Sequence, residues 1–169
     1  ETNPEWFQGS SYTHGACAYI LREGNIGQGF IQDVVHAPNY FHTALRNRWY
    51  GQQNDNFGNP QSLQTVAVHI YAPNRYNNIL GNVLGTTGYH TKYEAYPASA
   101  ADCDTSVFAL GFGGNCGNGT VDNAADVRTS LLRWGNYDTV NAAVRWQSSE
   151  VPTADANYPS STPATNTVP

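Results

Sequence analysis

IQDVVHAPNYFHTALRN (residues 31–47) and VAVHIYAPNRYNNILGN (residues 66–82) are two versions of one pattern. At an offset of 35 they share Ala37/Ala72, Pro38/Pro73, Asn39/Asn74, Leu45/Leu80 and Asn47/Asn82. Ile31/Val66, Val35/Ile70, Phe41/Tyr76 and Ala44/Ile79 match in kind. Three adjacent identities in one register mark an internal repeat. A second register, at an offset of 24, joins Leu21-Arg22 and Gly27-Gln28 to Leu45-Arg46 and Gly51-Gln52. His14/His36 and Asp33/Asp55 repeat at a spacing two positions shorter. The period is therefore about 22 to 24 residues, within the range of stacked repeats. The offset of 35 is one period plus an insertion, QQNDNFGNPQSLQ (52–64), which is polar and turn-rich.

The repeat is built from short strand-like runs. Val66, Val68 and Ile70 alternate with Ala67 and His69, and Ile79-Leu80 and Val83-Leu84 are apolar pairs split by Gly81-Asn82. Gly, Asn or Pro then turns the chain. Such a unit predicts an all-β solenoid, each coil stacked about 4.8 Å above the last. Inward residues form apolar columns, and Asn47 and Asn82 are read first as corner residues that tolerate a left-handed backbone, with a side-chain amide ladder as the alternative. A leucine-rich repeat has a similar period, but its frame does not recur. A β-sandwich accommodates the strands but leaves the repeat unexplained.

Composition narrows the class. The 169 residues carry a formal charge of −5 and only 12 % charged side chains. That excludes the broad basic footprint of nucleic-acid binding. No apolar run reaches the ~18 residues of a membrane span. Aromatics make up 12 %, so the composition is not that of a disordered chain. Uncharged Asn, Thr, Ser and Tyr must wet the surface, which predicts a secreted or cell-surface location. The chain has no Met and begins at Glu1, so a processed product or a piece of something longer is expected.

YTHGA (12–16), FIQDVVHAPN (30–39), NNILGNVLGTTGYHT (77–91) and LLRWGNYDTVNAAVRW (131–146) resemble the right-handed parallel β-helix superfamily. The resemblance is nearest to secreted bacterial β-helix repeat proteins without an assigned activity, and it covers most of residues 3–150. It implies further rungs before Glu1 and more chain beyond Pro169. The expected organisation is a β-helix domain over 1–147, with loop insertions at about 52–64 and 101–120. A Ser/Thr/Pro-rich tail, 148–169, would dock on the domain or on a neighbour. Cys103 and Cys116 bracket a Gly/Asn-rich stretch that a disulfide would close, stabilising by ~2–3 kcal/mol. Three reduced cysteines are the alternative, and Cys17 is left over. Asp122 before NAADVRTSLL predicts a capped short helix.

No P-loop, C-x-x-C, H-E-x-x-H or G-x-S-x-G motif occurs, so no cofactor or metal is expected. The candidate catalytic groups are Glu23, Asp33, Asp55 and His36. β-Helix glycosidases use paired carboxylates, one raised in pKa to donate a proton. The acidic clusters and the arginine motif of pectate-lyase-like enzymes are missing, which argues against a lyase. Trp49, Tyr50, Tyr71, Tyr76 and Tyr89 are the candidate substrate-binding residues, because flat rings with polar tips pack on sugar faces. The readings carried forward are a carbohydrate-interacting surface module, a structural subunit that stacks on copies of itself, and a polysaccharide hydrolase.

Overall fold

The computed structural model describes residues 11–13, 15–33, 35–36, 38–55, 57–99, 102–115, 124–152 and 165–168. Strands dominate it: β1 (Ser11–Thr13), β2 (Leu21–Glu23), β3 (Ile26–Gly27), β4 (Phe30–Gln32), β5 (Thr43–Leu45), β6 (Arg48–Trp49), β7 (Val68–Ile70), β8 (Asn78–Leu80), β9 (Val83–Leu84), β10 (Lys92–Ala95), β11 (Ser106–Leu110), β12 (Leu132–Trp134), β13 (Asn136–Asp138) and β14 (Ala143–Arg145). The one α-helix among the described residues, α1 (Ala125–Thr129), has five residues. Its N-cap is Ala124, without a side-chain cap; Asp122 lies outside the described residues.

The strands form three sheets, ordered β1-β4-β7-β11-β10, β12-β8-β5-β2 and β14-β13-β9-β6-β3. The chain visits the sheets in turn, and every pairing is parallel except β13 with β14. Ala44 lies between Arg22 and Ile79, and Ile79 lies beside Arg133. Paired residues of neighbouring strands in the second sheet are thus 22, 35 and 54 residues apart. The offset of 24 is not used: Leu21 pairs with Thr43 and Gly27 with Trp49.

One apolar core receives side chains from all three sheets, including Phe30, Val68 and Phe108 from the first, Ala44 and Ile79 from the second, and Trp49 and Leu84 from the third. Each large side chain fully buried this way contributes roughly 1.5–3 kcal/mol. The other face of the first sheet is buried as well, beneath Tyr71, Cys103 and Phe112. The expected loop at 101–120 therefore contains a fully buried strand, β11. β10 precedes β11 in the chain but pairs on its far side, at the end of the first sheet.

Asparagines lock the register. Asn47 Oδ1 accepts from Asn25 N and Nδ2 at 2.9 and 2.8 Å. Asn82 Oδ1 accepts the same two bonds from Asn47, and Asn136 Oδ1 from Asn82. The Nδ2 groups of Asn47, Asn82 and Asn136 also donate to the carbonyls of Arg22, Ala44 and Ile79. A second ladder joins Asn39 to Asn74, the asparagines of the repeated Ala-Pro-Asn. These buried amides satisfy backbone groups that each corner leaves without a strand partner.

Cys103 is fully buried; Cys116, its expected disulfide partner, lies outside the described residues. Cys17 is a free thiol. No helix among the described residues is long and apolar enough to cross a membrane.

Candidate functional site

The four candidate catalytic groups occupy three separate places. Glu23 ends β2 on the surface, 3.5 Å from Arg46. Asp55 closes its own loop, accepting from the backbone N–H groups of Phe57 and Asn59 at 2.9 and 2.8 Å. The Asn59 side-chain amide holds the Asp55 carboxyl below its ordinary pKa. Asp33 and His36 do come together. The Asp33 carboxylate is buried and lies 2.5 Å from His36 Nδ1, while the His36 side chain is 54 % exposed. The buried acid orients the ring. His14, which the period places one rung from His36, lies outside the described residues.

A carboxylate–imidazole pair is not the two-carboxylate arrangement that glycoside hydrolysis requires. Another carboxylate pair, absent from the expectations, is Glu94 on β10 and Glu150. Arg133 and Arg128 hold Glu94 at 2.5 and 2.8 Å, and Arg145 holds Glu150 at 2.7 Å. Each acid is committed to guanidinium partners. The Arg133 guanidinium also rests over the rings of Phe108 and Tyr93. This is a charged seal over one end of the core. No group of three His, Cys, Asp or Glu side chains that could hold a metal ion occurs among the described residues.

The candidate sugar-binding aromatics also separate. Trp49 is fully buried, with its ring 5.5 Å from Phe30. Tyr71 is buried, stacks at 3.9 Å on His69, and donates its hydroxyl to Asn115. Neither offers a face to a ligand, so both are corrected to packing residues: the faces are spent on the core and on the layer over the first sheet. Tyr89 is half-buried and donates to Thr65 Oγ1 at 3.0 Å. Tyr50 is 40 % exposed beneath the Arg48 guanidinium.

Tyr76 alone among the five belongs to an outward aromatic column. Tyr19 stacks on Phe41 with centroids 5.1 Å apart and planes within 9°. Phe41 stacks on Tyr76 at 5.3 Å and 12°. Tyr40 leans on both Phe41 and Tyr76 at 6.2 Å. Tyr19 is 80 % exposed and leaves one ring face open. The three stacked residues stand at the corner entering the second sheet, two positions before the adjacent strands β2, β5 and β8. The repeat matches Phe41 with Tyr76; extending it back by one further rung, to Tyr19, is the signal that finds the column.

The backbone makes this column unusual. Tyr19, Phe41 and Tyr76 all have φ of +58°. A left-handed conformation costs a bulky L residue roughly 1–2 kcal/mol, and glycine would avoid that cost. Two ring stackings return about 0.5–1.5 kcal/mol each, which offsets only part of three such corners. The rings are held at the surface against local backbone preference, as strained residues at functional sites commonly are.

No protein-family model, curated protein or solved structure matches the chain.

Proposed function

We propose that the three sheets are the faces of a right-handed parallel β-helix, and that the chain is a secreted or cell-surface module that holds an uncharged carbohydrate at the Tyr19–Phe41–Tyr76 corner. Parallel pairing at rung offsets of 22, 35 and 54, a common core and the asparagine ladder support the solenoid reading. A bacterial source and a Cys103–Cys116 disulfide belong to the same reading. A stacked aromatic column at a left-handed corner, with Tyr19 exposed at its end, carries the functional part. The open face of Tyr19 takes the apolar face of one sugar ring, and the flanking ring of Tyr40 takes a neighbour.

Retention on a panel of insoluble neutral polysaccharides tests this. Tyr19→Ala and Tyr40→Ala should each weaken retention about 3- to 10-fold. Tyr50→Ala, in the third sheet's exit, should leave it unchanged. The proposal is lost if the panel retains nothing, or if retention ignores both corner variants.

A second reading, a structural subunit stacking on copies of itself, rests on a different observation. β1, β2 and β3 are edge strands at one end of their sheets, with Leu21 57 % and Ile26 72 % exposed. Edges of this kind template further strands. Sedimentation of the chain and of Ile26→Lys should then show assemblies that the lysine abolishes; a monomer at every concentration removes this reading.

A further inference from the structure

The corner leaving the second sheet holds a notch. Gly81, between β8 and β9, and Gly135, between β12 and β13, occupy equivalent positions in adjacent rungs, with φ of +62° and +67°. Gly81 N donates to Trp134 O at 3.0 Å, so the two backbones lie one against the other. A methyl group on Gly81 would meet Val168 Cγ1 at 2.9 Å. One on Gly135 would meet Trp146 at 2.6 Å and Val168 Cγ2 closer still. Trp146 is braced edge-on against Trp134, centroids 5.4 Å apart. The space that two missing side chains leave is filled by one valine from far along the chain.

The rest of that corner is different. Gly24, on the first rung, has nothing within 4 Å of the same position, and the next rung carries Arg46. The notch is therefore confined to the last two rungs, where Trp146 provides a wall. The segment that fills it is itself shaped: Thr167 N donates to Thr165 O at 2.8 Å, and the two threonine hydroxyls lie 2.9 Å apart. This tight turn presents Val168. Twelve residues separate Pro152 from Thr165. That length spans up to about 40 Å, enough for the segment to reach the notch of its own molecule.

We propose that the Gly81–Gly135–Trp146 notch is a peptide-binding site, and that its ligand is the chain's own segment Thr165–Val168, docked in cis as a clasp on the last two rungs. The chemistry it selects is a short turn ending in a β-branched aliphatic side chain small enough to touch two glycine backbones at once. The site is independent of the carbohydrate reading.

The test uses the full chain and the side-chain indole N–H resonances of Trp134 and Trp146. Val168→Asp should shift both and leave the core indole of Trp49 in place. Adding the hexapeptide ATNTVP in excess to Val168→Asp should return both resonances saturably towards the parent positions, and ATNTAP should need at least about fivefold more peptide. Sedimentation of the parent chain should give a monomer. Unmoved indoles in Val168→Asp, or equal action of the two peptides, would overturn the site. A parent dimer that Val168→Asp converts to monomer would overturn the assignment in cis.

Discussion

Two corners flank the second sheet; one turns through a left-handed backbone after all four strands, the other before three of them, with Ser130 before β12 at φ −98°. The corner leaving the sheet has φ of +68°, +56°, +62° and +67° at Gly24, Arg46, Gly81 and Gly135. Glycine stands there in three of four rungs and removes the steric cost. The corner entering the sheet has φ of +58° at Tyr19, Phe41 and Tyr76, and keeps an aromatic ring each time. The first corner minimises strain and leaves room, which Val168 fills. The second accepts strain and gains an apolar surface. Turn geometry alone therefore does not explain the aromatic corner, which is why it carries the functional proposal.

The contrast is open to attack at several points. Gly135→Val should destabilise by about 3–5 kcal/mol, from left-handed strain plus overpacking against Trp146. The urea midpoint reads it, and a cost under about 1 kcal/mol would erase the distinction between the corners.

Acid should act next. Burial drives the His69 imidazole down to about 3 and lowers His42, which follows Phe41 in the aromatic corner. The unfolded chain binds protons at these histidines near pH 6.5 while the folded chain does not. Stability is therefore complete above that pH and falls as pH drops towards 3. His69 alone contributes roughly 1.4 kcal/mol per pH unit within that window. Urea midpoints between pH 7 and 4 measure the slope, and His69→Gln should flatten it.

Asn82→Ala should cost about 2–4 kcal/mol, because Asn47 N, Asn47 Nδ2 and Ala44 O lose their buried partner. Phe41→Gly should stay within about 1 kcal/mol of the parent, since relief of left-handed strain offsets the lost stacking. If it instead unfolds the chain, the ring is a core element rather than a surface one. The smallest effect is a gain: Arg46→Gly should stabilise by about 0.5–1 kcal/mol, because the exposed Glu23 pair it gives up is worth little.

The two ends of the stack differ in the same spirit. Arg133 points inward at one end over Phe108, and Glu94 and Glu150 answer its charge. Arg22 points inward at the other end over Phe30, and its described partners, Thr13 and His42, carry no carboxylate. Burial lowers the Arg22 pKa. Both ends present edge strands, but one pairs its inward arginine with carboxylates and the other does not among the described residues.

Part of this is legible in residue order. The Ala-Pro-Asn identity marks the register of β5 on β8, because an insertion elsewhere in the repeat leaves a local triad intact. Asn47 and Asn82 recur in that register too, but the left-handed backbone expected of them falls on Arg46 and Gly81 just before, and the asparagines ladder instead. The offset of 24 misleads, since Leu-Arg pairs match by identity while the asparagine corner decides the register: Asn25 must reach Asn47. β11 is hidden by the Cys- and Gly-rich flanks around SVFAL, and its position between β7 and β10 reverses chain order. Trp49 and Tyr71 read as surface rings in the sequence because exposure depends on which side of a strand faces the core.

Sequence alone determined the short apolar runs, the repeated turn residues, the low share of charged side chains and the recurrence of Asn47 at Asn82. These are local properties, written residue by residue. Tertiary structure decided which rings are buried and which stack outward, how Glu94 gathers Arg128 and Arg133, and where Val168 comes to rest. Those outcomes depend on contacts between positions twenty or more residues apart in the chain, and on backbone angles that exist only once the strands are paired.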